Sequence, residues 1–155
     1  MKSCAFFGHR NMNVQPYGEI LLGILCDLVE NKGVIQFYSD YRGSFNVYCA
    51  RLVGKLKERY PQIVNTMVLS YIPTARFNGA FDLPLCFDDS VYLLERNVPY
   101  KFAITETNKL LIDTVDFVVA AVEVKFGGAY TACEYARKRK KPIVNVIDLK
   151  EKQYE

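Results

Sequence analysis

The sequence predicts an α/β fold of three layers, in which a mostly parallel, doubly wound sheet is covered by helices on both faces. Short apolar runs rich in β-branched residues alternate along the chain with longer stretches of helical periodicity. The 155 residues are 50% hydrophobic and 24% charged, which is ordinary for a globular domain. Because no repeat, low-complexity tract or linker interrupts them, we expect one domain over residues 1–155.

The apolar runs predict the strands, and the stretches of helical periodicity between them predict the helices. Strands are expected at residues 3–7, 34–38, 63–71, 117–122 and 143–147. Helices are expected at residues 17–31, 47–60, 100–112 and 129–140. Parallel neighbours need crossover connections, which are right-handed, so this order predicts a sheet with helices on both faces.

Residues 74–99 depart from the alternating pattern. Gly79, Pro84 and Pro99 punctuate this segment, although residues 90–94 are consistent with a short extra strand. We expect the segment to cover or flank a ligand pocket.

Composition and charge exclude several classes of protein. The five cysteines contain no C-x-x-C pair and are accompanied by one histidine, so we expect reduced thiols, no metal site and no cofactor. No apolar run approaches the roughly 18 residues that span a bilayer, and the N-terminus lacks a leader pattern. We therefore expect a cytoplasmic protein without a membrane partner. The net charge of +3 gives no reason to expect nucleic acid as a partner. The sequence leaves open whether the protein forms a homo-oligomer.

Polar residues follow the first predicted strand directly. In open α/β sheets, ligands bind beyond the carboxyl ends of the strands, in the crevice where the strand order reverses. Gly8 permits close backbone approach, His9 can donate a hydrogen bond or act as acid or base, and Arg10 offers a forked cation for phosphate. The alternative is a tight turn in which His9 and Arg10 only cap neighbouring backbone groups.

The second predicted strand runs into a polar loop that includes Ser39, Arg42 and Gly43. Ser44 fits the N-cap position of the next helix, which would leave backbone N–H groups for an anion. Asn46 is placed to contact a ribose hydroxyl. The alternative is a capped helix start with no ligand.

The strongest local pattern is F-G-G-A-Y-T-A-C-E at residues 126–134, between a predicted strand and a predicted helix. The paired glycines, Gly127 and Gly128, let a phosphate approach the helix N-terminus, where free N–H groups and the helix dipole favour negative charge. We expect Ala129 and Thr131 to line the same site.

Glu134 lies three residues after Thr131 and shares its predicted helix face. It is therefore the candidate catalytic carboxylate, if Thr131 faces the pocket. The alternative is a surface carboxylate that pairs with Lys138 at i+4.

The remaining polar positions carry weaker indications. Asn108 is placed to face the pocket from the third predicted helix, whereas Asp113 and Asp116 suit turn and capping positions. The basic run at residues 137–141 is favoured at a helix C-terminus and indicates a solvated helix end rather than a DNA contact. Most tyrosines and phenylalanines fall within the apolar pattern and are expected in the core.

Taken together, these segments resemble the SLOG superfamily of Rossmann-like domains, which includes the lonely-guy phosphoribohydrolases and DNA-processing protein A. The chain is most similar to the YpsA-like group of Firmicutes and their phages. The resemblance is carried by C-A-F-F-G-H-R from Cys4, I-D-x-x-D-F-V-V from Ile112, G-G-A-Y-T-A-C-E-Y-A from Gly127 and K-K-P-I-V-N-V from Lys140. With residues 37–46 and 101–108, these motifs span nearly the whole chain.

The resemblance implies a Rossmann-like fold with a pocket for a nucleotide or a nucleotide-derived ligand. The residues that it places around this pocket are Gly8, His9, Arg10, Gly127, Gly128 and Thr131. In the phosphoribohydrolases, the glutamate of a related motif acts on the N-glycosidic bond, and Glu134 falls at that spacing.

Two departures from the family pattern imply an altered ligand site. Close relatives read N-x-G-x-F-D where this chain ends its second loop in Phe45 and Asn46, so an amide replaces an acid. Relatives also carry arginine directly before the position of Asn108, where this chain has Thr107.

The sequence therefore predicts a SLOG-type domain that binds a nucleotide or an ADP-ribose-like small molecule. The alternative is an N-glycoside hydrolase that acts on nucleoside monophosphates through Glu134. A third reading, a DNA-associated accessory protein, rests on the basic run and on the distant DNA-processing relatives.

Overall fold

A computed structural model describes residues 1–72 and 82–153. The strands are β1 (Lys2–Gly8), β2 (Val34–Ser39), β3 (Val64–Leu69), β4 (Asp89–Tyr92), β5 (Phe117–Ala121) and β6 (Ile143–Asn145). The helices are α1 (Gly18–Lys32), α2 (Gly43–Leu56), α3 (Ala103–Thr114), α4 (Gly128–Lys138) and α5 (Val146–Gln153). No helix in these two ranges is long and apolar enough to cross a membrane.

The described strands form one sheet in the order β4-β3-β2-β1-β5-β6, and every neighbouring pair is parallel. The chain first winds outward from β1 to β4 and then returns to the other side of β1 to form β5 and β6. The strand order therefore reverses between β1 and β5, which is the position where such sheets bind ligands. The predicted doubly wound fold class is confirmed.

Side-chain alternation along β1 divides the core into two layers. Cys4 and Phe6 pack on one face with residues of α1, α2 and α5, whereas Ala5 and Phe7 pack on the other face with α3 and α4. Helices therefore cover both faces of the sheet, as the sequence predicts.

The predicted extra strand at residues 90–94 is present as β4, which begins one residue before the predicted start. The part of the predicted pocket-flanking segment at residues 74–81 lies outside the described residues. Helix α2 begins at Gly43, four residues before its predicted start, so Ser44 lies inside the helix and the prediction that it is the N-cap is wrong.

The predicted last strand at residues 143–147 is too long, because α5 starts at Val146. The Asn145 side chain explains the change of structure. Its Oδ1 accepts from Val122 N at 3.1 Å and from Ile147 N at 3.2 Å, and its Nδ2 donates to Val122 O at 2.9 Å. The Asn145 side chain thereby pairs with the backbone that follows β5, and it also caps the N-terminus of α5.

All five cysteines are free thiols. Burial is the main cause that raises the pKa of Cys4 and of Cys49, which both lie in the core. Burial also raises the pKa of Cys133 in α4 to about 11. These thiols are therefore protonated near neutral pH and are unsuited to act as nucleophiles.

The end of β1 lies in close contact with α2. A Cβ added to Gly8 would stand 2.3 Å from Cδ1 and 2.4 Å from Cγ of Phe45, a side chain that is completely buried. Gly8 therefore has a packing role, because any larger residue would separate α2 from the sheet.

We expect Gly8→Ala to lower the free energy of unfolding by about 1–3 kcal/mol, since the added methyl group overpacks a closed contact. Chemical denaturation measures this change. Gly23→Ala in α1 is the matched control, because no described heavy atom lies within 4 Å of its added Cβ and alanine favours the helix. Equal stability of Gly8→Ala and the unmodified protein would contradict the packing role.

Candidate functional site

A cavity of about 380 Å³ opens over the carboxyl ends of β1 and β5, where the strand order reverses. Nine of the residues predicted to bind a ligand line this cavity: Gly8, His9, Arg10, Arg42, Asn46, Asn108, Gly127, Gly128 and Ala129. The other predicted site residues, Ser39, Gly43, Thr131 and Glu134, do not line it. The lining residues that the sequence analysis did not select are Phe7, Asp40, Ile104, Val124 and Phe126.

The N-terminus of α4 faces this cavity without a cap. Gly127 precedes the helix at φ +93°, a conformation that favours glycine, and no side chain caps the first turn. The first turn also contains no acidic residue. Its backbone N–H groups and the positive end of the helix dipole are therefore available to an anion.

Gly128 is a glycine without a packing partner. No heavy atom of the described residues lies within 4 Å of the position that its Cβ would occupy, and the residue lines the cavity. Packing explains Gly8, but it does not explain Gly128. An open backbone at a helix start suits the close approach of a ligand.

His9 joins the loops that follow β1 and β5. Its Nε2 accepts hydrogen bonds from Glu123 N at 2.9 Å and from Val124 N at 3.4 Å, and its backbone N–H donates to Ala121 O at 3.3 Å. A ring that accepts at Nε2 is neutral and carries its proton on Nδ1. Nδ1 therefore remains as the group of His9 that can donate a hydrogen bond to a ligand.

We expect His9→Ala to release the loop after β5, because the Glu123 and Val124 N–H groups lose their acceptor. Hydrogen exchange at these two amides should accelerate, while exchange at β-sheet amides of β2 and β3 stays unchanged. The stability cost should be about 1 kcal/mol, since the freed N–H groups are reached by water. Unchanged exchange at Glu123 would show that the histidine does not hold this loop.

Asp40, at the end of β2, holds the second loop together with Asn46. The Asp40 Oδ1 atom accepts from Arg42 N at 2.9 Å and from Asn46 Nδ2 at 2.6 Å. Asn46 is 5% exposed, and its Oδ1 is buried without a hydrogen-bond partner. A buried acceptor that lacks a donor costs roughly 1–3 kcal/mol, and Asn65 Oδ1 and Thr107 Oγ1 are in the same state among the described residues.

Gly43 and Ser44 support the loop after β1 rather than line the cavity. Gly43 has φ +80°, and its added Cβ would stand 2.5 Å from the Arg10 Cα. The N–H and the Oγ of Ser44 both donate to the Arg10 carbonyl, at 2.8 Å and 3.0 Å, and Ser44 Oγ accepts from Met12 N at 2.9 Å. The start of α2 therefore fixes the backbone of Arg10.

Two hydroxyl groups predicted to contact a ligand form hydrogen bonds with the backbone. Ser39 is completely buried, and its Oγ accepts from Tyr41 N at 3.2 Å and donates to Asn46 O at 3.3 Å. Thr131 Oγ1 donates to Gly127 O at 3.0 Å. Thr131 lines an adjoining cavity of about 240 Å³ between α3 and α4, which shares Ile104, Asn108 and Gly128 with the first cavity.

Glu134 lies on the surface of α4, outside both cavities. Its carboxylate pairs with Arg137 at i+3 rather than with Lys138, and its side chain is 44% exposed. Among the described residues, the carboxylate that lines the cavity over β1 and β5 is Asp40. Among the described residues, no group of three or more His, Cys, Asp or Glu side chains is placed to hold a metal ion.

Among the described residues, two guanidinium groups and one carboxylate line the cavity over β1 and β5: Arg10, Arg42 and Asp40. Arg42 lies over the Tyr71 ring at 5.2 Å from its centroid, which is a cation–π contact. Thr107, where relatives place an arginine, is 1% exposed and its Oγ1 is buried without a partner. Arg10 and Arg42 are thus the cations that line this cavity among the described residues.

The basic run lies at the far end of α4 from Gly128 and makes intramolecular contacts. Besides the pair formed by Arg137, Arg139 Nε lies 3.0 Å from Asp113 Oδ1, and Lys141 Nζ donates to a backbone carbonyl at 2.8 Å. These contacts agree with a solvated helix end.

Comparison with known proteins shows similarity in structure only. No protein-family model matches the chain, and no curated protein matches its sequence. DNA processing protein A from Helicobacter pylori, known from a structure on its single-stranded DNA binding mode, matches with a TM-score of 0.61 and 17% identity over 92% of this chain and 63% of that chain.

DNA processing protein A from Streptococcus pneumoniae matches with a TM-score of 0.62 and 14% identity, over 92% of this chain and 49% of that chain. The structural-genomics target TM1055 matches with a TM-score of 0.57 and 17% identity, over 92% of this chain and 72% of that chain. The chain thus spans less than two thirds of either DNA processing protein. At these identities, the similarity shows a common Rossmann-like fold.

Proposed function

We propose that the chain is a SLOG-type domain that binds a nucleotide or a nucleotide-derived ligand in the cavity between β1 and β5. One observation carries this proposal. The uncapped N-terminus of α4 opens at Gly128 into a cavity that is also lined by Arg10 and Arg42.

The donors around the cavity match the chemistry of a phosphate group. A phosphate at neutral pH offers acceptors and negative charge, which backbone N–H groups at a helix start and guanidinium groups both satisfy. Within the part of the chain that the structure describes, the lining cations Arg10 and Arg42 outnumber the one lining carboxylate, Asp40. The cavity volume of about 380 Å³ lies within the range of small-molecule sites.

The proposal predicts that Gly128→Ala weakens the binding of AMP and ADP-ribose by about tenfold or more, or about 1.4 kcal/mol, because a methyl group fills the approach to the helix N–H groups. Calorimetric titration measures the affinity. Gly23→Ala, which also adds a methyl group in open space on a helix, is the matched control and should bind like the unmodified protein. Equal affinity of Gly128→Ala and the control, or no binding of either nucleotide, would contradict the proposal.

The N-glycoside hydrolase alternative has less support from the site. Its candidate carboxylate, Glu134, pairs with Arg137 on the surface of α4. The carboxylate in the cavity, Asp40, already accepts two hydrogen bonds at Oδ1. The site therefore supports binding better than hydrolysis through Glu134.

A second candidate function is binding of single-stranded DNA, and exposed aromatic side chains favour it. Tyr100 is 77% exposed, Phe126 is 72% exposed and Phe102 is 48% exposed, so these rings do not belong to the core. Phe126 lines the cavity, and Tyr100 stacks on Tyr71 with ring centroids 4.4 Å apart. A protein of similar structure binds single-stranded DNA. This similarity and the exposed rings both favour nucleic acid as a partner, although the net charge alone gave no reason to expect it.

Base stacking on these rings predicts that a Tyr100→Ala, Phe126→Ala double variant loses affinity for an oligothymidylate by about 1–3 kcal/mol per stacked base. Fluorescence anisotropy at low salt measures this loss. Tyr92→Ala, an aromatic exposed on the edge strand β4, is the control. If the unmodified protein does not bind the oligonucleotide at low salt, the DNA candidate is wrong.

A further inference from the structure

We infer that Tyr71 and Tyr100 are positioning residues of the proposed anion site, because their stacked rings hold the Arg42 guanidinium group in place before a ligand binds. This inference rests on the proposed function, since it explains how one of the two lining cations is ordered for a phosphate. Neither tyrosine lines the cavity over β1 and β5, so each acts through Arg42.

The Arg42 guanidinium group contacts an aromatic ring rather than an acceptor atom. Its Cζ lies 5.2 Å from the centroid of the Tyr71 ring. Among the described residues, the Arg42 side chain forms no hydrogen bond and no ion pair. A guanidinium group carries five N–H donors, and a cation–π contact pairs none of them with an oxygen acceptor. The contact therefore holds the cation while its donors stay available to an anion.

A second ring holds the ring of Tyr71. The rings of Tyr71 and Tyr100 stack with their centroids 4.4 Å apart and their planes 18° apart. The Tyr71 hydroxyl group also donates to the Tyr100 carbonyl at 3.4 Å. Tyr71 is therefore tied to the chain before α3 by its ring and by its hydroxyl group, and its contact with Arg42 has a fixed base.

Tyr100 itself is held at the start of α3. It begins a short 3₁₀ turn, Tyr100–Phe102, which leads directly into α3. Within this turn, Phe102 N donates to Pro99 O at 2.8 Å. The Tyr100 side chain is 77% exposed, so packing in the core does not explain its ring. Its stacking contact with Tyr71 gives the ring a role.

The strand order explains how three residues that are distant in sequence meet. Arg42 follows β2, Tyr71 follows β3 and Tyr100 follows β4. These strands are parallel neighbours, so their carboxyl ends lie at the same edge of the sheet. The stack therefore runs along this edge from the start of α3 to the cavity, which Arg42 lines.

An arginine that is ordered in advance favours anion binding. A mobile arginine loses side-chain entropy when a ligand orders it, and this loss weakens binding about two- to tenfold for one side chain. In the stack, Arg42 loses this freedom when the protein folds, before any ligand arrives. Removal of the Tyr71 ring should therefore return the entropy cost to the binding step.

Titration of the isotope-labelled full chain with AMP, followed at the Gly128 amide, tests the inference. We expect Tyr71→Leu, which removes the ring, to weaken AMP binding about two- to tenfold. Tyr71→Phe keeps the ring and should bind AMP like the unmodified protein. Tyr100→Leu should weaken binding in the same direction as Tyr71→Leu. Without ligand, Tyr71→Leu should also shift the Arg42 Hε resonance, because the ring current of Tyr71 acts on it.

The comparison that separates positioning from stability repeats Tyr71→Leu in an Arg42→Ala background. A positioning residue acts only through Arg42, so the added substitution should leave the AMP affinity of this background unchanged. Arg59→Ala is the matched control background. The Arg59 guanidinium lies over the Tyr60 ring at 5.3 Å from its centroid, and Arg59 does not line the cavity. In that background, Tyr71→Leu should keep its full effect.

An equal loss of affinity in both backgrounds would show a structural role for Tyr71 and overturn the inference. Unchanged AMP binding by Tyr71→Leu, or an Arg42 Hε resonance that does not move, would also overturn it and leave the nucleotide proposal standing. If AMP shifts no amide of the unmodified protein, both proposals are wrong. Should Tyr71→Leu fail to fold, Tyr100→Leu at its exposed position carries the same two-background comparison.

Discussion

The contact between the start of α2 and the chain that leaves β1 is the constraint on which the site depends. Gly8 lets Phe45 lie directly on the strand, and Gly43 lets the Arg10 backbone pass within reach of the helix. Ser44 then fixes the Arg10 carbonyl through its N–H and its Oγ. Because α2 is held this closely, the loops after β1 and β2 line one cavity.

Two kinds of glycine serve this site in different ways. Gly8 and Gly43 are required by neighbouring atoms, and a side chain at either position would collide with the protein itself. Gly128 faces open space at the start of α4, where its missing side chain leaves backbone N–H groups accessible. Gly8 and Gly43 shape the cavity. Gly128 leaves the open backbone that a bound ligand would require.

The sequence predicted the fold and the loops around the cavity, because parallel strands end at the same edge of a sheet. Side-chain directions were less predictable. Thr131 has the right spacing for the pocket, but its hydroxyl group finds a backbone acceptor in its own helix turn. The sequence analysis did not select Asp40. Its hydrogen bond with Asn46 depends on the turn between them, where Tyr41 has φ +58°. Helix α5 was missed because Asn145 ends an apolar run that otherwise continues like a strand.

The central claim is that one nucleotide contacts three loops at the carboxyl edge of the sheet. Titration of the isotope-labelled protein with AMP, followed by amide chemical shifts, tests it most directly. The account predicts that the largest changes occur at the amides of His9, Arg10, Asn46, Gly128 and Ala129, and that the basic far end of α4 stays unchanged. Changes confined to that far end, or no changes with AMP in large excess over the protein, would contradict the account.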